Sequence, residues 1–237
     1  MKLNKLSKTT MSLAAFAGLA LTTSANAAVT YVDLSQVGGT YTVGANTVNV
    51  RNTSGTTSDL KDITGNDTAI DVTLANAGSS TTTVGLMPSS GTDGYNLFNG
   101  FVDAVGVTAV FNATTTVTFS DLDPNMLYDI ALLGNRINDA VASGDETFTI
   151  SDVDASNNIS SVITTATTSA FDLRSNTISG YIARWDGISP GADGDLVVTI
   201  SGDSVYLNAV RLESVPEPTT TALLGLGGLA LILRRRK

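Results

Sequence analysis

The stretch LVVTI (Leu196–Ile200) repeats its apolar side chains with a period of two. In an extended chain this period places Leu196, Val198 and Ile200 on one face, which is typical of a strand buried on one side and wet on the other. The same alternation occurs in Ile70–Leu74, Val117–Phe119 and Phe148–Ile150. Leu127–Leu133 is more nearly apolar throughout, as expected of a central strand.

Turn-forming residues separate these runs, at Gly38-Gly39, Gly65–Asp67, Asp123–Asn125, Ser143–Asp145 and Asp193–Asp195. No long stretch has the 3.6-residue period of a helix, although Pro88–Phe101 is predicted to be a long loop with one helical turn. About ten strands with one buried face each predict an all-β domain. We expect two packed antiparallel sheets, a β-sandwich of the jelly-roll kind.

The N-terminal residues 1–27 have the pattern of a secretory signal peptide. Three lysines precede the apolar helix-forming run Met11–Leu21, and Ala25 and Ala27 offer small side chains for cleavage by signal peptidase. The run is shorter than the roughly 20 apolar residues that span a bilayer. The alternative interpretation is a buried N-terminal helix.

Residues 28–214 are then one exported domain, with six basic and 21 acidic residues and a net charge of −15. This charge argues against nucleic acid and anionic lipid as partners, because both require a basic surface, but it is compatible with divalent cations. The chain has no cysteine and no histidine. Ser–His and Cys–His nucleophiles and His-ligated zinc are therefore excluded.

The C-terminal residues 215–237 form three parts: the proline-rich Val215–Pro218, the apolar segment Thr219–Leu233, and the basic end Arg234-Arg235-Arg236-Lys237. As a helix the apolar segment is about 22 Å long, against a hydrocarbon core of about 30 Å. We expect transient insertion in the inner membrane, with the basic end as a cytoplasmic stop-transfer signal. An ordinary weak C-terminal anchor is the alternative.

The order Pro216-Glu217-Pro218, apolar segment and basic end resembles the PEP-CTERM sorting signal. The resemblance implies recognition by an exosortase, a membrane protease-transpeptidase of Gram-negative bacteria that make exopolysaccharide. It further implies export through the inner membrane and processing near Pro216–Pro218. The product would be attached at the cell surface or outer envelope, or released outside the cell.

The domain itself resembles the galactose-binding-like β-sandwiches. The residues that carry this resemblance are Leu122-Asp123-Pro124, Tyr128-Asp129, Leu133–Arg136, Thr147–Thr149 and Tyr206–Leu212. These motifs are short, so they bear on the fold and not on a ligand.

Trp185 is the only tryptophan, and it lies between Arg184 and Asp186. Aromatic rings stack on sugar rings and charged neighbours bind the hydroxyls, so these three residues are a candidate glycan site, with Tyr95 or Arg136 as further members. Alternation also allows Trp185 to be a core residue.

Two calcium sites are candidates. Asp33 and Glu213 lie in the first and last strands, which are often neighbours in a sandwich, and calcium favours carboxylate oxygens. Asp152–Ile159 begins like a calcium loop but has Asn157 at the glycine position. In both cases the alternative is solvated acids, with no cofactor.

Catalysis is not expected. Gly202–Val205 resembles an esterase nucleophile motif but lacks a histidine base, and a turn is the better interpretation. Asp145 and Glu146 point to opposite faces of a strand. We therefore expect a non-enzymatic surface or matrix protein that binds glycans such as exopolysaccharide weakly. A purely structural matrix protein and, last, a carboxylate-dependent glycan-active enzyme are the alternatives.

Overall fold

A computed structural model describes residues 27–34, 40–51, 53–80, 85–104, 107–111, 114–136, 144–151, 153, 157–174 and 176–216. Nearly all of the predicted signal helix (1–27) and all of the apolar and basic parts of the tail lie outside these residues.

The described residues form sixteen strands and two short helices. In chain order they are β1 (Val29–Asp33), β2 (Thr40–Val43), β3 (Asn46–Val50), β4 (Gly55–Thr57), β5 (Asp71–Ala75), β6 (Gly78–Ser80), α1 (Asp93–Phe98), β7 (Val107–Phe111), β8 (Thr114–Ser120), β9 (Leu127–Leu133), β10 (Asp145–Ser151), β11 (Ile163–Thr165), β12 (Thr168–Asp172), α2 (Asn176–Ser179), β13 (Ala183–Ile188), β14 (Leu196–Gly202), β15 (Ser204–Leu207) and β16 (Ala209–Val215).

Two large sheets form the predicted sandwich. Sheet one has the strand order β13-β9-β16-β1-β3-β2, and sheet two has the order β11-β12-β10-β14-β8-β5-β4. A small third sheet has the order β15-β7-β6. The all-β class and the sandwich are therefore confirmed.

One strand pair departs from the antiparallel prediction. β1 and β3 run parallel over a short register, Val32 opposite Asn49 and Asp33 opposite Val50. The β2–β3 hairpin brings β3 to the side of β1 that β16 leaves open. The Asn49 side chain continues the bonding, because its Nδ2 donates to the carbonyls of Tyr31 (3.0 Å) and Lys61 (2.8 Å).

The main core lies between the two sheets, where the alternating residues of the sequence meet. Leu196, Val198 and Ile200 are fully buried, as their period predicts, and so are Phe119 and Phe148. The largest fully buried side chain is Trp185 on β13 of sheet one. Burial of this apolar surface is the main stabilising term of a fold without disulfides.

A second cluster covers the outer face of sheet one. Helix α1 begins at Asp93, and Thr92 caps it because its Oγ1 accepts a hydrogen bond from the Tyr95 N–H. The helix brings Phe98 edge-on against Tyr31 of β1, with ring centroids 5.9 Å apart, and Phe101 stacks on the same ring at 4.5 Å. The predicted helical turn is thus confirmed, and it forms a lid over part of this sheet.

The first and last strands hold the two ends of the domain together. β16 pairs with β1 on one side and with β9 on the other. The Ser214 N–H donates to the Ala28 carbonyl (2.9 Å), and the Ala28 N–H donates to Ser214 Oγ (2.8 Å). The first and last residues of the sandwich domain, Ala28 and Ser214, therefore lie side by side.

Candidate functional site

Charged side chains gather on the outer face of sheet one, beside the lid. The inner face carries Ile130, Trp185 and Leu212, so the alternation places their neighbours outward. These outward residues are Asp129 on β9, Arg184 and Asp186 on β13, and Arg211 and Glu213 on β16.

Arg184 is the centre of one half of this cluster. Its Nε and Nη2 donate to the two carboxylate oxygens of Asp186, at 2.7 and 2.9 Å. Asp129 Oδ2 lies 4.0 Å from Arg184 Nη2, and Asp129 Oδ1 accepts the Gly187 N–H at 2.8 Å. Burial raises the pKa of Asp129, and the nearby Asp186 carboxylate adds to the rise. The guanidinium is thus held in a fixed plane by acids.

Arg211 is the centre of the other half, and it is nearly buried. Its Nη2 donates to Glu213, and its Nε donates to the Tyr31 hydroxyl at 3.2 Å. Tyr31 in turn donates to the Leu97 carbonyl at 2.9 Å, which ties the lid to the sheet. Arg211 Nη1 is buried without a hydrogen-bond partner among the described residues.

A pocket of about 210 Å³ opens between the lid and Arg184. Asp93, Asn96 and Leu97 of α1 form one side, and Ile159, Ile182 and Arg184 form the other. Ser161 Oγ donates to Asp93 Oδ2 at 2.7 Å, which positions that carboxylate. The Ile159 N–H donates to the Arg184 carbonyl at 3.0 Å, so the loop of residues 157–161 is attached to the edge of β13. The pocket therefore combines polar groups with an apolar wall.

The structure separates the three residues predicted to bind glycan. Arg184 and Asp186 face outward near the pocket, but Trp185 points inward, is fully buried and donates from Nε1 to the Ala166 carbonyl at 3.0 Å. Trp185 offers no ring to a ligand, so its assignment to the glycan site is corrected to a core role. Arg136 lies elsewhere, with its guanidinium 4.4 Å above the Tyr206 ring.

The Asp33–Glu213 pair is also corrected. Their strands are neighbours as predicted, but the register sets Asp33 opposite Ala209 and Glu213 opposite Val29. The two positions are offset by four residues along the strand pair, which is about 13 Å of extended backbone, and Asp33 Oδ2 already accepts a hydrogen bond from the Asp103 N–H at 3.2 Å. The structure therefore does not bring the two side chains together. The described residues contain no group of three or more metal-binding side chains suited to an ion. Asp152 and residues 154–156 of its candidate loop lie outside the described residues.

Asp145 and Glu146 point to opposite sides of β10, as expected: Asp145 is exposed and Glu146 is fully buried. Glu146 Oε1 accepts the Tyr206 N–H at 2.8 Å, whereas Oε2 has no partner among the described residues. Burial raises the pKa of Glu146 well above its ordinary value. The sequence held this signal, because Glu146 shares its face with Phe148 and Ile150.

The pocket residues of α1 and of the 157–161 loop were not predicted from the sequence. Asp93, Asn96 and Ile159 lie in segments without hydrophobic periodicity, so nothing local shows which strand they cover. The one available signal is Thr92, a helix N-cap residue directly before Asp93.

Fold and site together define a β-sandwich domain with a small, mixed polar and apolar pocket on one outer face. Residues 214–237 match the PEP-CTERM protein-sorting motif, which confirms the predicted sorting signal. The motif indicates a secreted, exosortase-processed protein that is destined for the cell surface or the extracellular space. Within the described ranges, no helix has the length and apolar character needed to cross a bilayer.

Two further comparisons add little. No curated protein matches the chain. A crystal structure of the plant receptor-like kinase ANX2 is 11% identical, with a TM-score of 0.32, over 71% of this chain and 55% of that one. The chain thus aligns with about half the length of that structure, and a likeness this weak defines neither fold nor function.

Proposed function

We propose that the chain is an exported, surface or matrix β-sandwich protein of a Gram-negative bacterium. Signal peptidase removes residues 1–27, the tail inserts transiently in the inner membrane, and exosortase processes it near Pro216–Pro218. The match to the sorting motif over residues 214–237 supports this route. The mass of the protein from its native host tests it, because an intact Lys237 contradicts processing.

We further propose weak glycan binding in the pocket beside Arg184. The observation that carries the proposal is the pairing of polar edges with an apolar wall. Asp93, Asn96 and Arg184 offer acceptors and donors for sugar hydroxyls, whereas Leu97, Ile159 and Ile182 suit the C–H face of a sugar ring. The cavity of 210 Å³ is smaller than a typical drug-sized site and suits one sugar unit.

The charge around the pocket favours uncharged glycans. Arg184 is already paired with Asp186 and lies near Asp129, while Asp93 adds another negative charge. A uronic acid or sulfated sugar would therefore meet excess carboxylates. We expect neutral exopolysaccharide to bind and acidic polymers to bind less well, with no catalytic step and no cofactor.

The second candidate is a structural matrix protein without a ligand. The bidentate Arg184–Asp186 pair favours it, because these polar groups are already satisfied within the chain. The two candidates differ in the role of Arg184: in the first it contacts a glycan, and in the second it only holds Asp186 in place.

Glycan-array binding of two matched variants separates the candidates. Arg184→Lys removes the planar fork beside the pocket, and Arg174→Lys makes the same change in the Arg174–Asp172 pair on sheet two. We expect about tenfold weaker binding for Arg184→Lys, the loss of about one charged hydrogen bond, and no change for Arg174→Lys. Equal binding by both variants contradicts this site, and no binding by the parent protein supports the structural alternative.

A further inference from the structure

The sorting motif and the fold overlap in the chain. The motif match begins at residue 214, whereas β16 continues to Val215. Pro216 follows at once and has no N–H for the sheet, so it ends the strand. The sorting motif therefore begins within a paired strand, and no loop separates that strand from Pro216.

That strand is paired on both sides at its end. On the β9 side Ser214 lies opposite Tyr128 and Val215 opposite Leu127. On the β1 side Ser214 and Ala28 exchange two hydrogen bonds, 2.9 Å from the Ser214 N–H and 2.8 Å to its Oγ. Ser214 is buried. The backbone groups of the two residues just before Pro216 are thus already paired while the sheet is intact.

A protein that binds an extended peptide commonly pairs with the backbone groups of that peptide, and we take the processing enzyme to hold the residues before the scissile bond in this way. In cleavage near Pro216–Pro218, the scissile carbonyl passes from its amide nitrogen to water or to an acceptor amine, and the tail leaves with a new amino end. The residues that must enter the enzyme cleft then include Ser214, which is already bonded to Ala28 and paired with β9, and Val215, which is already paired with β9.

We infer that the processing enzyme acts on the chain with the end of β16 undocked, so that tail cleavage precedes the final pairing of β16 or waits for that end to open. The inference rests on the processing site proposed above and is independent of glycan binding. The substrate of tail cleavage is therefore the sandwich with the end of β16 unpaired. Once Ser214 is bonded to Ala28, the chain is no longer a substrate.

A linker insertion tests the order. Six Gly/Ser residues inserted between Val215 and Pro216 move the motif away from the sheet, and the same six residues inserted between Gly44 and Ala45 of the β2–β3 turn serve as the control. Full-length chains are purified in detergent, checked for equal unfolding midpoints, and mixed with membranes of a bacterium that contains the exosortase. The rate of tail loss is followed by mass spectrometry.

We expect the folded parent and the turn-insertion control to be processed at the same slow rate, and the Val215–Pro216 insertion about tenfold faster, as the loss of one or two sheet hydrogen bonds implies. Ser214→Ala, which removes the acceptor for the Ala28 N–H, should give a smaller acceleration. Equal rates for parent and linker variant, or a slower linker variant, overturn the inference. If none of the chains loses its tail, the processing site itself is contradicted.

Discussion

Replacing Glu146 with glutamine should change how the stability of the protein depends on pH. Glu146 is fully buried, with one oxygen bound to the Tyr206 N–H and the other without a partner among the described residues. Because burial disfavours the charged carboxylate, the folded protein holds the proton to a higher pH than the unfolded chain does. Glutamine keeps the carbonyl acceptor and cannot ionise.

The sign and size follow from proton linkage. Above the ordinary pKa of glutamate, about 4.3, the unfolded chain loses the proton while the folded protein retains it. The free energy of unfolding of the parent therefore falls as pH rises, by about 1.4 kcal/mol per pH unit, until pH passes the raised folded pKa. At low pH, where Glu146 is protonated in both states, the parent has its full stability with respect to this group.

Urea unfolding at half-unit steps from pH 5 to 8 measures the effect, with the fluorescence of the single buried Trp185 as the signal. The informative quantity is the difference in free energy of unfolding between Glu146→Gln and the parent, because other titrating groups cancel in it. A constant offset at all pH values reflects the unpaired amide, whereas the slope reports ionisation.

The exposed neighbour Asp145 provides the matched control, since Asp145→Asn removes one carboxylate from the same strand at the surface. We expect the difference for Glu146→Gln to change more steeply with pH than the difference for Asp145→Asn. If the two slopes are equal, Glu146 is not held in a protonated state and the argument from its burial is wrong.

Three further substitutions test the fold and the site. Trp185→Phe should keep any glycan binding of the parent on an array while lowering the urea midpoint, because Trp185 is a core residue; loss of binding in a folded variant would return it to the site. Gly194→Ala should destabilise the protein by more than about 1 kcal/mol, because φ at Gly194 is +77° and the new Cβ would lie 2.8 Å from the Leu122 carbonyl oxygen. Gly44 also has a positive φ but faces open space, so Gly44→Ala should destabilise the protein less. Similar urea midpoints for the two variants would contradict this. Asn176→Ala should cost about 2–3 kcal/mol or more in urea unfolding, because the buried Asn176 side chain bonds to the Gly134 carbonyl at 2.6 Å and to both backbone groups of Tyr181; a midpoint within error of the parent would show that these bonds add no stability.

The alternation of apolar residues was enough to predict the sandwich. Leu196, Val198 and Ile200 are buried as their spacing indicates, and Leu127–Leu133 lies second in sheet one, between β13 and β16. Alternation also fixes relative faces, so it allowed a core role for Trp185 with Arg184 and Asp186 outward. It cannot show which face is buried when both sides carry polar and apolar residues.

The register of the strand pairs and the position of α1 over sheet one could not be predicted from the sequence. That the first and last strands are neighbours follows from the closed sandwich, but the offset that sets Asp33 opposite Ala209 depends on contacts along the whole pair. The pocket depends on the packing of Phe98 at the end of α1, and of Phe101 just after it, against Tyr31. This is a contact between segments that are distant in the chain. Only the helical turn within Pro88–Phe101 was predicted from the local sequence.

The two-way hydrogen bonding between Ala28 and Ser214 also makes the domain topologically close to a ring. A linker of a few residues joining these positions would leave the sheet order unchanged, and new ends could be opened at the exposed Gly44–Ala45 turn, where the backbone already reverses between β2 and β3. The sandwich is thus suited to circular permutation. In such a molecule β16 and β1 would form one hairpin. The two strands would then be synthesised one directly after the other, and no longer at opposite ends of the domain.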